Sequence, residues 1–323
     1  MPTERQIQLA FERGVSSITD DVLVGALRDA LAAGDVQAVL DVIDIEDAAF
    51  DEFRAMLVTQ FAESGAAEIN GMKFKQPVRW NSANPRVEEY ARNQVGDKIT
   101  RMTSDMKVAV RNTVADGYAF GRSVNRMALD LVGRIGPSGK RQGGIVGLSS
   151  QQAGWVDGMR LALSGEGGAK FWIGADGKLK STLTRRDRRF DAAILKSLKT
   201  GIPLTKDQID NMTRAYANRL LLSRGKTIAK TERGQAVNAG RVEAWKQAAD
   251  KLGLPYTRIR KQWVYTDRSR IDRPDHRAAD KTQVQGLDTP FIVGGVPYLY
   301  PHDPSLAAEN TINCSCECKI WLG

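Results

Sequence analysis

The sequence has very few side chains that bind soft metals. Its 323 residues include three cysteines and two histidines, and all five lie between positions 276 and 318. An odd number of cysteines, in a chain expected to be made and folded in the cytosol, argues against a disulfide framework. Any Ser–His or Cys–His catalysis would have to use His276 or His302, and Cys314 with His276 is one such pair.

Long apolar runs and several catalytic motifs are also missing. No stretch of 18 apolar residues occurs, so no transmembrane helix and no membrane partner are expected. Residues 1–14 lack the basic and apolar regions of a signal peptide. The motifs G-x-x-x-x-G-K-S/T, G-x-S-x-G and H-E-x-x-H do not occur, which argues against the enzyme classes built on them.

Charge is distributed unevenly within the net balance of +9. Residues 1–70 carry 4 Lys and Arg against 14 Asp and Glu, whereas the other 253 residues carry 43 against 24. This split suggests a protein surface as neighbour for the acidic segment and a polyanion for the rest, although such charges can also simply solvate helices. The same two interpretations apply to four arginines around Asp187, which can bind phosphate or begin a solvated helix: Arg185, Arg186, Arg188 and Arg189.

Hydrophobic periodicity predicts an α+β fold that is mostly α. Long N-terminal helices are followed by a small C-terminal domain of a helix plus antiparallel strands. Asn84 with Pro85 is a predicted helix start, and so is Ser149 or Ser150. A chain of this length is expected to form about two domains. By composition we divide it into an acidic helical region (1–75), a long-helix region (76–135), a glycine-rich and basic helical connector (136–205) and a C-terminal domain (206–323).

The C-terminal strands are predicted from alternating side chains. Residues 256–266 and 311–322 each indicate a strand, and residues 289–304 indicate a strand, a turn and a short strand. On a strand, residues two apart project from the same face. Cys314, Cys316 and Cys318 are therefore expected to present three thiols on one side of the last strand.

Thiols at this spacing can chelate zinc, and a histidine from a nearby loop can complete the set. The predicted zinc ligands are Cys314, Cys316 and His276, and His302 is a second histidine candidate. Two alternatives remain open at this point. The cysteines can be small buried side chains in the reduced state, or they can take part in redox chemistry.

The same region contains a set of ordered motifs. The stretch "SRGKTIAKTERGQAVNAGRVEAWKQA" is followed by "WVYTDRSR", by "DHR" and by "PYLYPHDPSLAAENTINCSC". Together they resemble the phage head morphogenesis family, whose members are Mu F-like minor head proteins. The resemblance covers about 110 residues, 210–320. The residues that match the family motif, apart from the zinc candidates, are Arg224, Thr231, Glu232, Asn238, Trp263, Asp267, Arg270 and Asn313, with Arg268 as an alternative to Arg270.

This resemblance implies a structural, non-enzymatic minor capsid protein of a tailed phage. Its expected partners are the portal protein, the major capsid protein or both, with possible non-specific contact to packaged DNA. The expected location is the virion, in the capsid interior or portal region. One alternative is a zinc-dependent hydrolase or nuclease that uses His276, Asp267 and the C-terminal cysteines. Another is a simple DNA-binding module.

The helix that contains the "KTER" motif has a face of small side chains. Glu232, Ala236 and Ala239 with Gly240 lie at helical spacing on this face, where a second backbone can approach closely. A carboxylate partly buried there needs a partner. The predicted partner of Glu232 is an arginine of the following loop, namely Arg268, Arg270 or Arg273. The alternative is an acid–base role for Glu232 beside a loop histidine.

Overall fold

The computed structural model describes residues 1–168, 170–266 and 272–323. It is 60% helical with 10% strand, so the predicted α+β, mostly α fold is confirmed. The helices are α1 (Glu4–Asp20), α2 (Val24–Ala33), α3 (Val36–Ile43), α4 (Asp51–Gly71), α5 (Pro85–Glu89), α6 (Asp97–Ala119), α7 (Val124–Val132), α8 (Ser150–Ser164), α9 (Asp191–Thr200), α10 (Lys206–Leu252), α11 (Pro274–Ala278) and α12 (Ala308–Thr311). The strands are β1 (Arg134–Ile135), β2 (Arg141–Gln142), β3 (Phe171–Ile173), β4 (Leu179–Ser181), β5 (Ile259–Val264), β6 (Gln283–Gln285), β7 (Phe291–Val293), β8 (Val296–Tyr298) and β9 (Glu317–Leu322). Among the described helices, none combines the length and the apolar character needed to cross a membrane.

The described residues form two compact units that interleave along the sequence. Unit 1 consists of Met1–Phe11, Asp51–Ile99 and Gly225–Gly323. Unit 2 consists of Glu12–Phe50 and Thr100–Arg224. The four segments predicted from composition follow the chain in order, whereas these units do not, since the acidic N-terminal segment supplies residues to both.

Helix starts follow their predicted caps in both units. In unit 1 the Asn84 side chain accepts a hydrogen bond from the Arg86 amide, and Pro85 takes the first helical position of α5. In unit 2 the Ser149 side chain accepts from the Gln152 amide, while the Gln152 side chain accepts from the Ser149 amide. This reciprocal pair satisfies two amide groups that a helix start leaves unpaired. Both predictions are therefore confirmed, with Ser149 as the cap of α8.

Unit 1 contains a small antiparallel sheet in the order β6-β5-β9, with β7 and β8 forming a separate hairpin. In the register of the central strand, Trp263 lies opposite Cys318. Because side chains alternate along a strand, Ile259, Lys261 and Trp263 share the buried face of β5. The buried core around this face consists of Val242, Trp245, Ala249, Ile259, Trp263, Ala279, Leu287, Phe291, Val293, Tyr298, Cys314, Cys316, Cys318 and Ile320.

The predicted close approach along α10 is also found in unit 1. Ala236, Ala239 and Gly240 are small residues of α10, and the two alanines are buried. A Cβ atom added at Gly240 would lie far inside van der Waals contact of the Phe61 carbonyl oxygen and 3.1 Å from the Gly65 amide nitrogen. Helix α4 therefore packs with its backbone directly against Gly240, which is possible because this position has no side chain.

Lys261 is a charged residue inside this core, with 0% of its surface exposed. Its Nζ donates a hydrogen bond to the Leu299 carbonyl oxygen at 2.7 Å and lies 5.3 Å from the centre of the Phe291 ring. Burial disfavours the charged form and lowers the pKa of Lys261 from its ordinary 10.5 to about 8. The lysine is therefore held as a buried cation below pH 8, at a cost to stability.

We expect this cost to appear as a pH dependence of unfolding. Between pH 8 and 10.5 the unfolded chain binds a proton that the folded chain has lost, so stability should rise through this window by about 3 kcal/mol. The Lys261→Met variant should lack this rise, whereas Lys319→Met, an exposed position on β9, should retain it. Urea unfolding of the three proteins at several pH values measures the difference. Identical profiles for wild type and Lys261→Met would contradict the buried charge.

Candidate metal centre

Three of the predicted zinc ligands come together in the core of unit 1. His276 lies on α11, and Cys314 and Cys316 lie in the segment between α12 and β9. Nδ1 of His276 is 3.4 Å from Sγ of Cys314 and 3.6 Å from Sγ of Cys316. The three residues are buried, with 4%, 1% and 3% of their surfaces exposed, respectively. Their ligand atoms all lie within 4.8 Å of one another, so the cluster can hold a metal ion.

The distances fit a tetrahedral site. With Zn–S bonds of about 2.3 Å and Zn–N bonds of about 2.05 Å at the tetrahedral angle, the nitrogen and each sulfur should be about 3.6 Å apart. Both measured distances lie close to this value. The imidazole nitrogen thus has nearly the spacing from each sulfur that a shared metal would impose.

The other nitrogen of His276 has its own partner. Nε2 lies 3.3 Å from the Tyr298 hydroxyl, and the Trp263 ring packs edge-on against the imidazole with the centroids 5.4 Å apart. A hydrogen bond at the second nitrogen fixes the orientation of a metal-binding imidazole. Nδ1 is thereby directed to the sulfurs. Tyr298 was not identified from the sequence, because nothing in its local pattern distinguishes it from a core tyrosine.

The electrostatics of the cysteine pair favour one thiolate. The hydrogen bond from Cys316 holds the pKa of Cys314 well below that of a free thiol; burial opposes this effect, and His276 and His302 add to it. The same hydrogen bond, together with burial, raises the pKa of Cys316. The Cys316 amide also donates to Sγ of Cys314 at 3.3 Å. Cys314 is therefore the sulfur that loses its proton first, as a metal ligand must.

The prediction that the last strand covers residues 311–322 and so contains all three cysteines is wrong at its start. Strand β9 begins at Glu317, so Cys314 and Cys316 precede it. The physical reason is a turn: Asn313 has φ of 58°, in the left-handed region, and the Cys314 amide donates back to the Thr311 carbonyl oxygen. Cys318 lies on the strand outside the cluster, and burial raises its pKa to about 12.

His302, the second histidine candidate, lies beside the cluster. It is buried, it has a φ of 66°, and its Nδ1 has no hydrogen-bond partner among the described residues. It lowers the pKa of the Cys314 thiol. Its ring nitrogens, however, are not among the ligand atoms that lie within 4.8 Å of one another. Its ring lies against Gly234, where an added Cβ would be 2.6 Å from Nε2. His302 is thus a buried histidine that helps to lower the pKa of Cys314 and lies outside the cluster.

Two motif residues of α10 hold the cysteine segment in place. The Thr231 hydroxyl oxygen accepts a hydrogen bond from the Asn313 amide at 3.1 Å. Asn238, about two helical turns further along the same face, donates to the Cys316 carbonyl oxygen at 3.3 Å and accepts from the Cys318 amide at 2.9 Å. The sequence marked these positions through the resemblance alone, whereas the structure gives each a positioning contact with the backbone of the cysteine segment.

The other motif residues and predicted partners have contacts that differ from those of Thr231 and Asn238. Glu232 forms an ion pair with Lys98, and Arg273 instead donates to the Ile312 carbonyl oxygen, so the predicted pairing with Arg273 is wrong. Lys98 lies 134 residues away in the sequence, where no local pattern indicates it. Arg224 belongs to unit 2, where burial lowers its pKa to about 10 and Asp105 lies 3.9 Å away. The expectations for Asp267, Arg268 and Arg270 fall outside the described residues.

No protein-family profile, curated protein or solved structure matches this chain. The geometry of His276, Cys314 and Cys316 is therefore the sole support for a metal-binding cluster, and the resemblance to Mu F-like proteins stays a prediction from the motif residues.

Proposed function

We propose that the chain is a structural, non-enzymatic minor head protein of a tailed phage, in which unit 1 is stabilised by a zinc ion bound to His276, Cys314 and Cys316. The observation that carries the structural role is the burial of all three ligands within the core of the unit. A catalytic zinc keeps an open coordination position that water or substrate must reach, and so little of the surface of these three ligands is exposed that this access is disfavoured.

The contacts of the motif residues support the same role. Thr231 and Asn238 bond to the backbone of the cysteine segment, and Trp263 packs against the ligand His276. These residues position and cover the cluster. A hydrolase built on His276 would need a substrate to reach this imidazole, which is 4% exposed. The burial therefore favours the structural proposal over the hydrolase or nuclease alternative.

Zinc fits the donor set better than the other common divalent ions. Two thiols with an imidazole are soft and borderline ligands, whereas magnesium and calcium prefer oxygen. A tetrahedral zinc takes a fourth ligand, and His302 is the described donor that we assign to it. Its ring would have to turn about its side-chain torsions to bring the unpartnered Nδ1 to the metal.

The proposed partners follow the charge distribution. The acidic residues 1–70 suit a protein surface, which in a phage head would be the portal protein or the major capsid protein. The basic remainder suits packaged DNA. In this proposal the protein resides in the virion, in the capsid interior or at the portal.

The copy number of the chain in phage particles tests this proposal. Quantitative mass spectrometry of purified empty proheads and DNA-filled heads should find a few copies per particle in both. Presence in proheads with loss from filled heads would show an assembly factor in place of a fixed capsid component. Absence from both kinds of particle would contradict the head-protein role.

A further inference from the structure

Unit 2 carries a strongly basic exposed segment that has no part in the candidate metal centre. Residues 170–200 include nine Lys and Arg against three Asp. Seven of the nine basic residues are exposed: Lys178, Lys180, Arg185, Arg188, Arg189, Lys196 and Lys199. Lys178 and Lys180 lie in the β3–β4 hairpin, Lys196 and Lys199 on α9, and the three arginines in the segment between them. We call these seven residues, with the hairpin, α9 and the connecting segment, the basic hairpin–helix surface.

The acidic residues of this segment do not neutralise it. The Asp187 side chain is buried and binds Arg189 and Arg219, and Asp191 pairs with Arg186. Asp176 is exposed and pairs with Lys180. The other exposed cations form no ion pair within the described part of the chain: Lys178, Arg185, Arg188, Lys196 and Lys199. These five exposed cations lie within residues 178–199, and their charge, which no carboxylate of the described residues neutralises, attracts a polyanion.

The arrangement is extended and grooved. A groove lies between the hairpin and α9, and Lys178, Lys180, Arg186 and Arg188 are among the residues that line it. From Arg188 to Lys199 the cations extend over roughly 16 Å at 1.5 Å per helical residue. A single phosphate is far smaller, whereas one strand of duplex DNA places a phosphate about every 3.4 Å along its axis. The surface therefore matches a phosphate backbone better than a small anion.

An aromatic side chain lies within the same surface. Trp172 pairs with Lys180 across the hairpin, and 44% of its surface is exposed. Residues opposite each other in an antiparallel pair project from the same face of the hairpin. An exposed indole on this surface can pack on sugar while the neighbouring unpaired cations reach phosphate.

We propose that the basic hairpin–helix surface binds the phosphate backbone of double-stranded DNA without sequence preference. This inference rests on the proposed function, which includes contact with packaged DNA, and names the surface that makes this contact. The binding itself belongs to the isolated chain, so it is tested separately from incorporation into heads.

The test compares two variants with the same loss of charge. The site variant replaces Arg185, Arg188, Lys196 and Lys199 with Gln, and the control variant replaces four other basic residues of unit 2 with Gln: Arg28, Lys107, Arg111 and Lys140. Fluorescence anisotropy measures binding to a labelled duplex of about 20 base pairs over a range of salt concentrations. Each lost phosphate contact should reduce the slope of log K against log salt by about 0.9.

We expect the site variant to lose about 3 to 4 units of this slope and the control variant to keep that of the wild type. Circular dichroism verifies that both are folded, and the milder pair Lys196→Gln and Lys199→Gln should lose about 2 units if the fourfold variant is unstable. Equal slopes for site and control variants would overturn the proposal. So would wild-type protein that does not bind duplex at about 50 mM salt, or that prefers single-stranded RNA of the same length. Loss of DNA binding with normal copy number in heads would leave the head-protein role intact.

Discussion

Chelation of zinc should lower the stability of unit 1 by at least about 4 kcal/mol. Structural zinc contributes about 10–16 kcal/mol of apparent binding free energy in small domains. Unit 1 keeps its hydrophobic core without the metal, so the expected loss of stability is smaller here. Cys316→Ala should have a similar effect, because it removes one of the buried ligands. Cys318→Ala is the matched control: it removes a buried thiol outside the cluster and should cost only about 1–2 kcal/mol, with zinc retained.

Elemental analysis and thermal melting with and without a chelator measure these effects. Wild type and Cys318→Ala should each contain one zinc per chain and lose melting temperature on chelation. Cys316→Ala should contain little zinc and show no response, and His302→Ala should bind zinc more weakly than wild type but still bind it. A chain purified without metal that does not take up zinc would remove the metal from the proposal, and equal zinc loss in both cysteine variants would contradict the assigned ligands.

Gly240→Ala should destabilise unit 1 by about 2–3 kcal/mol. The added methyl group meets the backbone of α4 at Phe61, which cannot rotate away as a side chain would. Gly154→Ala is the same chemical change on the exposed face of α8, where no described atom lies within 4 Å of the new Cβ. That substitution should stabilise by about 0.5–1 kcal/mol, because alanine favours the helix.

Urea unfolding of the two glycine variants measures the contrast. The midpoint should fall for Gly240→Ala and rise slightly for Gly154→Ala, with similar slopes for both. Unchanged stability of Gly240→Ala would mean that α4 and α10 are not packed backbone to backbone at this position.

The cluster of His276, Cys314 and Cys316 could be predicted from the sequence because side chains that bind soft metals are scarce in it. Five candidate side chains allow few sets of three ligands. The predicted set, His276, Cys314 and Cys316, is the one that the structure brings together. Cys318 lies outside the cluster because it is four residues beyond Cys314, on β9, and four residues of extended chain span about 13 Å. The alternating pattern predicts which residues share a face, but not which of them lie close enough together to share a ligand.

Contacts between distant segments were predicted less well. The small face of α10 predicted a close helix contact, but nothing identified α4 as the neighbour. Glu232 was expected to need a cation, and the cation came from Lys98 on a different helix. The boundary between the units falls at residues 224 and 225, inside α10, where helical periodicity continues. Periodicity predicts where each helix or strand lies in the sequence and which of its faces is buried. Which other helix or side chain contacts that face depends on the packing of the whole unit.

The position of the ligands has a mechanical consequence. Strand β9 is an edge strand, paired on one side to β5. Tension applied at Leu322 would separate β9 from β5 one residue pair at a time. A metal that joins Cys314 and Cys316 to His276 closes a loop of about forty residues just before this strand, as a disulfide would, but without needing an oxidising compartment. Unravelling from that side would stop at the metal, so force would be borne by coordination bonds before it reached the core.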